Sequence, residues 1–376
     1  MKVSNLHFND TNLLRPLMSD YINQSESTRV LYQFEPSPNG IGAAIDKRKK
    51  HQPNRTVLVD SLKKQYQETE LYDETVNANI NKLAKDNCFT ITTGHQLNLF
   101  GSTQYFIYKI VEVIKYTQQL KKQHSEYDFV PMFWLASGDH DFEEIQFAHI
   151  NGQRHAWQSD EKGPVGRFNP NAVLSVIEEL EDFWASEPVT GKYLKELFTK
   201  AYSKPSLSQA TRFWTHELFK QYGLVIIDGD EVELKKEFSG IIKRELFEEI
   251  TATEVEKTNH YLNQHNYHLQ VHARPINMFM ITKHGRERIV KLNDRFATIE
   301  SETSFTYSEM EHLIKERPES FSPNALMRSM YQETILPNLA YIGGAGEIAY
   351  WLQIKTAFDA HGVFYPQVVS RNSGIW

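Results

Sequence analysis

Phe89-Thr90-Ile91-Thr92 is a short β-branched run that enters Thr93-Gly94-His95-Gln96-Leu97-Asn98-Leu99-Phe100-Gly101-Ser102, and a long amphipathic helix is predicted to start near Ser102. A buried strand, a glycine-bounded polar loop and a helix N-terminus in that order suit an anion, because glycines let backbone approach a ligand and first-turn N–H groups point at it. The pattern recurs where Val130-Pro131-Met132-Phe133-Trp134-Leu135-Ala136-Ser137 runs into Gly138-Asp139-His140-Asp141-Phe142-Glu143-Glu144. Two apolar strands that each end in a polar cluster predict a parallel sheet with its site at the strands' carboxyl ends.

Further segments fit the same α/β scheme. Gly223-Leu224-Val225-Ile226-Ile227-Asp228-Gly229-Asp230 reads as a third buried strand ending in carboxylates. Leu339-Ala340-Tyr341-Ile342 enters Gly343-Gly344-Ala345-Gly346-Glu347 and a helix to about Ala360, and Val363-Phe364-Tyr365 with Val368-Val369 closes the set. Residues 1–87 read as a helical region packing on this core, 88–150 as its first half, 221–230 as a core strand and 321–376 as its second half. Residues 151–220 are expected to be one insertion, and 231–320 a second, of helices plus a β-hairpin at Met278–Lys291. Within the second, Ser308-x-x-Glu311 is expected to cap a helix, and just beyond it Ser322-Pro323 to open another with proline at its first position.

The chain has 376 residues, 40% hydrophobic and 24% charged, with a formal net charge of −7. That balance argues against a nucleic-acid binder of the basic-patch kind. Its single cysteine, Cys88, excludes an intrachain disulfide and a cysteine-rich zinc site. No apolar signal core follows Met1 and no stretch is long enough to span a membrane, so a cytoplasmic protein is expected.

Three clusters carry the candidate chemistry. In the first loop, Gly94, His95, Gln96 and Asn98 crowd hydrogen-bonding groups, and Ser102, Tyr105 and Lys109 share a helix face that brings two hydroxyls and a cation towards it. Asp139, His140 and Asp141 suit general acid–base work near neutral pH. A metal there needs more partners, His149 being the nearest, since Asp and His adjacent in an extended chain point apart. The third cluster is Gly343, Gly344, Gly346 and Glu347, either a close strand-to-helix turn or a phosphate contact. Arg328 on a short helix suits a carboxylate.

Taken in order, Thr93–Gly101 with Tyr105 and Lys109, Val130–Glu144, and Pro323–Arg328 through Leu336–Tyr350 resemble the BshC family, the cysteine-adding ligases of bacillithiol biosynthesis. The resemblance covers essentially the whole chain. It departs from the family pattern at His95, where glutamine is expected, at Gly138, where an acidic residue is expected, and at Ala345, where proline is expected.

The resemblance implies a Rossmann-like parallel sheet, related to class I nucleotidyltransferases, with helical and small antiparallel β insertions. It implies cysteine and glucosaminyl-malate as substrates, joined at the glucosaminyl amine, with neither nucleic acid nor membrane as partner. It also implies a homodimer supported by a C-terminal coiled coil, which this chain stops short of. By fold analogy, ATP with its accompanying Mg activates the cysteine carboxylate, and no resident metal is expected. In this scheme the first loop and Lys109 hold an anionic group, Asp139, His140 and Asp141 position or deprotonate the amine, and Arg328 pairs with a malate carboxylate. The competing readings are a non-catalytic nucleotide- or thiol-binding protein and a metal-dependent hydrolase centred on Asp139–Asp141.

Overall fold

The computed structural model describes residues 8–11 and 13–374. Residues 1–7, read above against a signal peptide, and the terminal Ile375-Trp376 lie outside the described residues. The strands in chain order are β1 (Cys88–His95), β2 (Asp128–Leu135), β3 (Phe147–Ile150), β4 (Gln153–Ala156), β5 (Val225–Asp228), β6 (Met278–Thr282), β7 (Gly285–Leu292), β8 (Arg295–Thr298), β9 (Ser304–Phe305), β10 (Phe321–Pro323), β11 (Asn338–Gly343) and β12 (Gln367–Ser370). Five of them form a parallel sheet in the order β12-β11-β1-β2-β5. Ranked by chain position alone, that order is 3-2-1-4-5 read from the β5 edge, the nucleotide-binding doubly wound arrangement, and it reverses between β1 and β11.

Both faces of this sheet are covered, so β1, β2 and β11 are buried along nearly their whole length. Alternate residues of β2 feed different cores: Val130, Met132 and Trp134 join one apolar cluster, Phe133 and Leu135 another. The polar residues of β1 are satisfied inside the sheet. Thr90 and Thr92 donate to Oδ1 of Asn338 at 3.2 and 2.8 Å, and Thr93 donates to the Ile342 carbonyl at 2.8 Å.

The crossover from β1 to β2 is the helix Gln104–Gln123, whose Phe106, Ile110, Val113 and Leu120 are buried at helical spacing. Each such side chain contributes about 1.5–3 kcal/mol by leaving water, which fixes this helix on the sheet. Lys121 and Lys122 complement the dipole in its last turn. The insertion after β5 carries a second, antiparallel sheet in the order β10-β6-β7-β8-β9, larger than the single hairpin expected. The β3–β4 hairpin was not foreseen at all, because its half-exposed residues lack an apolar alternation.

Three local expectations are corrected. The capping box is Thr306 with Glu309, and Ser308 lies inside the helix Tyr307–Glu316; the hydroxyl two residues earlier has the extended backbone that a cap requires. Ser322 and Pro323 do not open a helix but pair with Phe279 and Met278 on β6, and Asn324 caps the helix Ala325–Ile335 through the N–H groups of Leu326 and Met327. Residues 363–365 are not a strand, and β12 begins at Gln367.

Candidate active site

A cleft of about 500 Å³ opens at the carboxyl ends of β1, β2 and β5, roofed by the β6–β7 hairpin and the start of the helix Ala325–Ile335. This is where an open α/β sheet binds ligands, next to the reversal of strand order.

At the reversal itself, Lys109 reaches back from the crossover helix. Its Nζ lies 2.5 Å from Oε2 of Glu347 and donates to the Gly94 carbonyl at 2.9 Å. Glu347 also accepts from the Tyr341 hydroxyl at 2.6 Å and from the Gly344 N–H at 2.9 Å. Burial would raise the Glu347 carboxyl, but Lys109 and these donors outweigh it and hold it below its ordinary value. Both oxygens are therefore occupied, and the pair is a charge-neutral strut between β1 and the turn after β11.

Past β2 the chain bends, so Asp139, His140 and Asp141 converge rather than diverge, and one ligating atom from each lies within 4.8 Å of the others. The expectation that neighbouring Asp and His side chains point apart is thus corrected, since it assumed an extended backbone. Asp139 accepts from the His140 N–H at 2.8 Å and from the Gln96 amide at 3.3 Å. Burial acts to raise it, yet His140, Gln96 and the Arg286 charge hold it at about 2. Asp141 is raised, by partial burial and then by the charge of Asp139. Nη1 of Arg286 lies 2.8 Å from Nδ1 of His140. A guanidinium thus already occupies the cationic position among these groups.

The opposite wall carries Arg328, whose guanidinium lies over the rings of Trp134 at 5.7 Å and Tyr341 at 5.9 Å. Its hydrogen bonds go to Gln332, Ser329 and Tyr350, the charge of Glu347 acts on it from farther away, and no carboxylate forms a direct ion pair with it among the described residues. At the β5 end, Asp230 is held by Lys235 at 2.6 Å and Arg167 at 2.7 Å. Burial raises Asp230, and these cations override it and lower its pKa. Gly229 permits that corner: a Cβ there would stand 2.5 Å from Trp134.

The other expected residues fall as follows. Gly94, His95 and Gln96 line the cleft. His95 is packed on Phe106 with Nε2 3.5 Å from the Thr103 hydroxyl; burial, then the Lys109 charge, lowers it to about 4. Asn98, Ser102 and Tyr105 do not line the cleft. Asn98 donates to the Glu144 carbonyl at 3.5 Å, Ser102 to that of Phe147 at 3.5 Å, and Tyr105 lies half exposed under Arg371. The cause is local: Phe100, Gly101 and Ser102 all take positive φ, so the chain turns before the helix begins at Gln104, two residues later than expected. Gly343, Gly344 and Gly346 shape the turn around Glu347 without lining the cleft. Gly138 lines it with room for a Cβ, which would meet only Ser322 Oγ at 3.6 Å.

Sequence reasoning missed Arg286, Phe279 and Lys235. Arg286 sits in Lys283-His284-Gly285-Arg286, whose only local signal is a tight turn. Lys235 follows Asp230 at a spacing that carries no motif.

The sequence pattern of the family described as bacillithiol biosynthesis BshC, N-terminal Rossmann-like domain, matches residues 1–372. Relatives named "Putative cysteine ligase BshC" include one from Cytophaga hutchinsonii, 40% identical over 98% of this chain and 69% of its own length. One from Flavobacterium johnsoniae is 41% identical over 95% of this chain and 67% of its own length. A more distant one from Anoxybacillus flavithermus is 27% identical over 85% of this chain and 61% of its own length. With its Rossmann strand order and a cleft at the strand-order reversal, the chain belongs to the BshC family of bacillithiol biosynthesis.

Proposed function

We propose that this protein joins the carboxyl of cysteine to the amine of glucosaminyl-malate, with ATP activating the carboxyl. The observation that supports this best is the pairing, across one cleft of a BshC-family chain, of the Asp139–His140–Asp141 cluster with an arginine that has no direct carboxylate partner among the described residues. Amide formation needs an amine that loses a proton as it attacks, and in this reading a carboxylate of the cluster takes it. Malate offers two carboxylates, and the planar fork of Arg328 matches one of them. The rings of Trp134 and Tyr341 flank that fork.

ATP use rests on the doubly wound strand order. Lys109 does not serve its phosphates in this arrangement, because its charge is already matched by Glu347. The test is oxygen transfer: with cysteine labelled by ¹⁸O in its carboxyl, activation by ATP moves one label into the released AMP or phosphate. Amide product without label in either phosphate species excludes activation by ATP. Elemental analysis of the active protein tests the hydrolase alternative, which requires a stoichiometric bound metal.

A further inference from the structure

We infer that Arg286 is a positioning residue that fixes His140 as a neutral imidazole with its proton on Nε2, so that the ring donates a hydrogen bond to the reacting acyl oxygen instead of accepting the amine's proton. The catalytic half of this statement rests on the proposed ligation; the positioning half does not.

Each nitrogen of the Arg286 guanidinium has a partner. Nε donates to Ser322 Oγ at 2.9 Å, Nη2 to the Pro323 carbonyl at 2.7 Å, and Nη1 reaches Nδ1 of His140 at 2.8 Å. The guanidinium also lies flat against Phe279, 3.8 Å from the ring centroid. A guanidinium has donors only, so the Nδ1 it meets must present a lone pair. A protonated ring, or the Nδ1–H tautomer, would set two N–H groups against each other at that distance. The carboxylates of Asp139 and Asp141 stand farther from the same nitrogen, at 3.6 and 3.8 Å, beyond hydrogen-bond length, so the 2.8 Å contact to Arg286 sets its role. Nε2 then carries the hydrogen on a side chain that lines the cleft.

A neutral imidazole with one committed lone pair cannot serve as the base without breaking its bond to Arg286. It can serve as a preformed donor to an oxygen that gains negative charge. The roles of the cluster therefore separate. As the amine nitrogen bonds to the activated carboxyl carbon, the acyl oxygen gains charge next to Nε2–H. The carbon–oxygen bond to the phosphate then breaks, its electron pair leaving with phosphate, while the amine's proton passes to Asp141. Asp141 suits that task better than Asp139, whose oxygens already accept from Gln96 and the His140 N–H. Arg286 comes from the antiparallel sheet, so the insertion after β5 contributes to the chemistry through one side chain.

The test is ¹⁵N NMR of the histidine-labelled protein, with His140 assigned by the signals lost in His140→Gln. The expected wild-type spectrum has His140 Nδ1 unprotonated and Nε2 protonated. In Arg286→Met, which keeps an apolar stem against Phe279, the two tautomers should mix. In the ligation assay the same variant should lose about 10²-fold in kcat, the scale of one lost oxyanion donor, with KM for cysteine unmoved. Arg286→Lys carries the same measurements if the methionine variant does not fold, since one ammonium cannot hold Ser322, Pro323 and His140 together. A wild-type ring protonated at Nδ1, or an Arg286 variant with unchanged tautomer or unchanged kcat, overturns the inference. If the wild type makes no amide at all, the ligation reading fails, and the tautomer measurement still decides the positioning role.

Discussion

Nζ of Lys109 and Oε2 of Glu347 meet at 2.5 Å across the point where strand order reverses, tying the crossover helix to the turn after β11. Both side chains are largely buried, so removing one partner strands the other charge. Lys109→Met or Glu347→Gln should each destabilise the fold by about 3–5 kcal/mol, and the double variant should lose less than the sum. Denaturant titration of the four proteins checks this. Additive losses would show that the two groups are not coupled.

That pair also shows how far the sequence is legible. Strand, loop and helix at Gly94 were readable because β-branched runs and a helical apolar stripe persist over many residues. The partner of Lys109 was not, because Glu347 lies far along the chain and only the packing of β11 beside β1 brings them together. Asp139, His140 and Asp141 were readable as a cluster, whereas their convergence depends on a bend that composition does not reveal. Arg286 was invisible for the same reason as Glu347's role: its partner His140 lies far back along the chain, in the loop after β2. Local chemistry was visible and long-range pairing was not.

Arg328 is available for a substrate carboxylate. Losing a bidentate charged contact costs about 1.5–3 kcal/mol. Arg328→Lys should therefore raise KM for glucosaminyl-malate about 10- to 100-fold and leave KM for cysteine unchanged. Steady-state kinetics with each substrate varied in turn checks this, and equal effects on both KM values would remove Arg328 from malate recognition.

His95 titrates far below a free imidazole because burial, followed by the Lys109 charge, disfavours its cation: about 4 in place of 6.5. Between those values the unfolded chain binds a proton that the folded chain does not, so stability falls as pH drops through that window. His95→Gln should remove this slope, worth up to about 3 kcal/mol. Unfolding free energies at pH 4.5 and 7 compare the two proteins, and parallel pH profiles would contradict the assignment.

Glu333 behaves in the opposite sense. Burial raises it from 4.5 to about 7, against the opposing pull of Arg48, Gln332 and Asn338. As pH rises through that range the unfolded chain releases a proton that the folded chain keeps, so this group lowers stability towards neutral pH. The stability of Glu333→Gln relative to wild type should therefore increase between pH 5 and 8. A difference that stays constant with pH would place the Glu333 pKa at its ordinary value.

The proposed reaction is amide formation from cysteine and glucosaminyl-malate. Its most direct measurement incubates the purified protein with ATP, cysteine and glucosaminyl-malate and detects bacillithiol by mass, with Asp141→Asn alongside. Bacillithiol is expected to depend on all three substrates and to fall at least about 10²-fold in the variant. Wild-type protein that binds these substrates and forms no bacillithiol would contradict it.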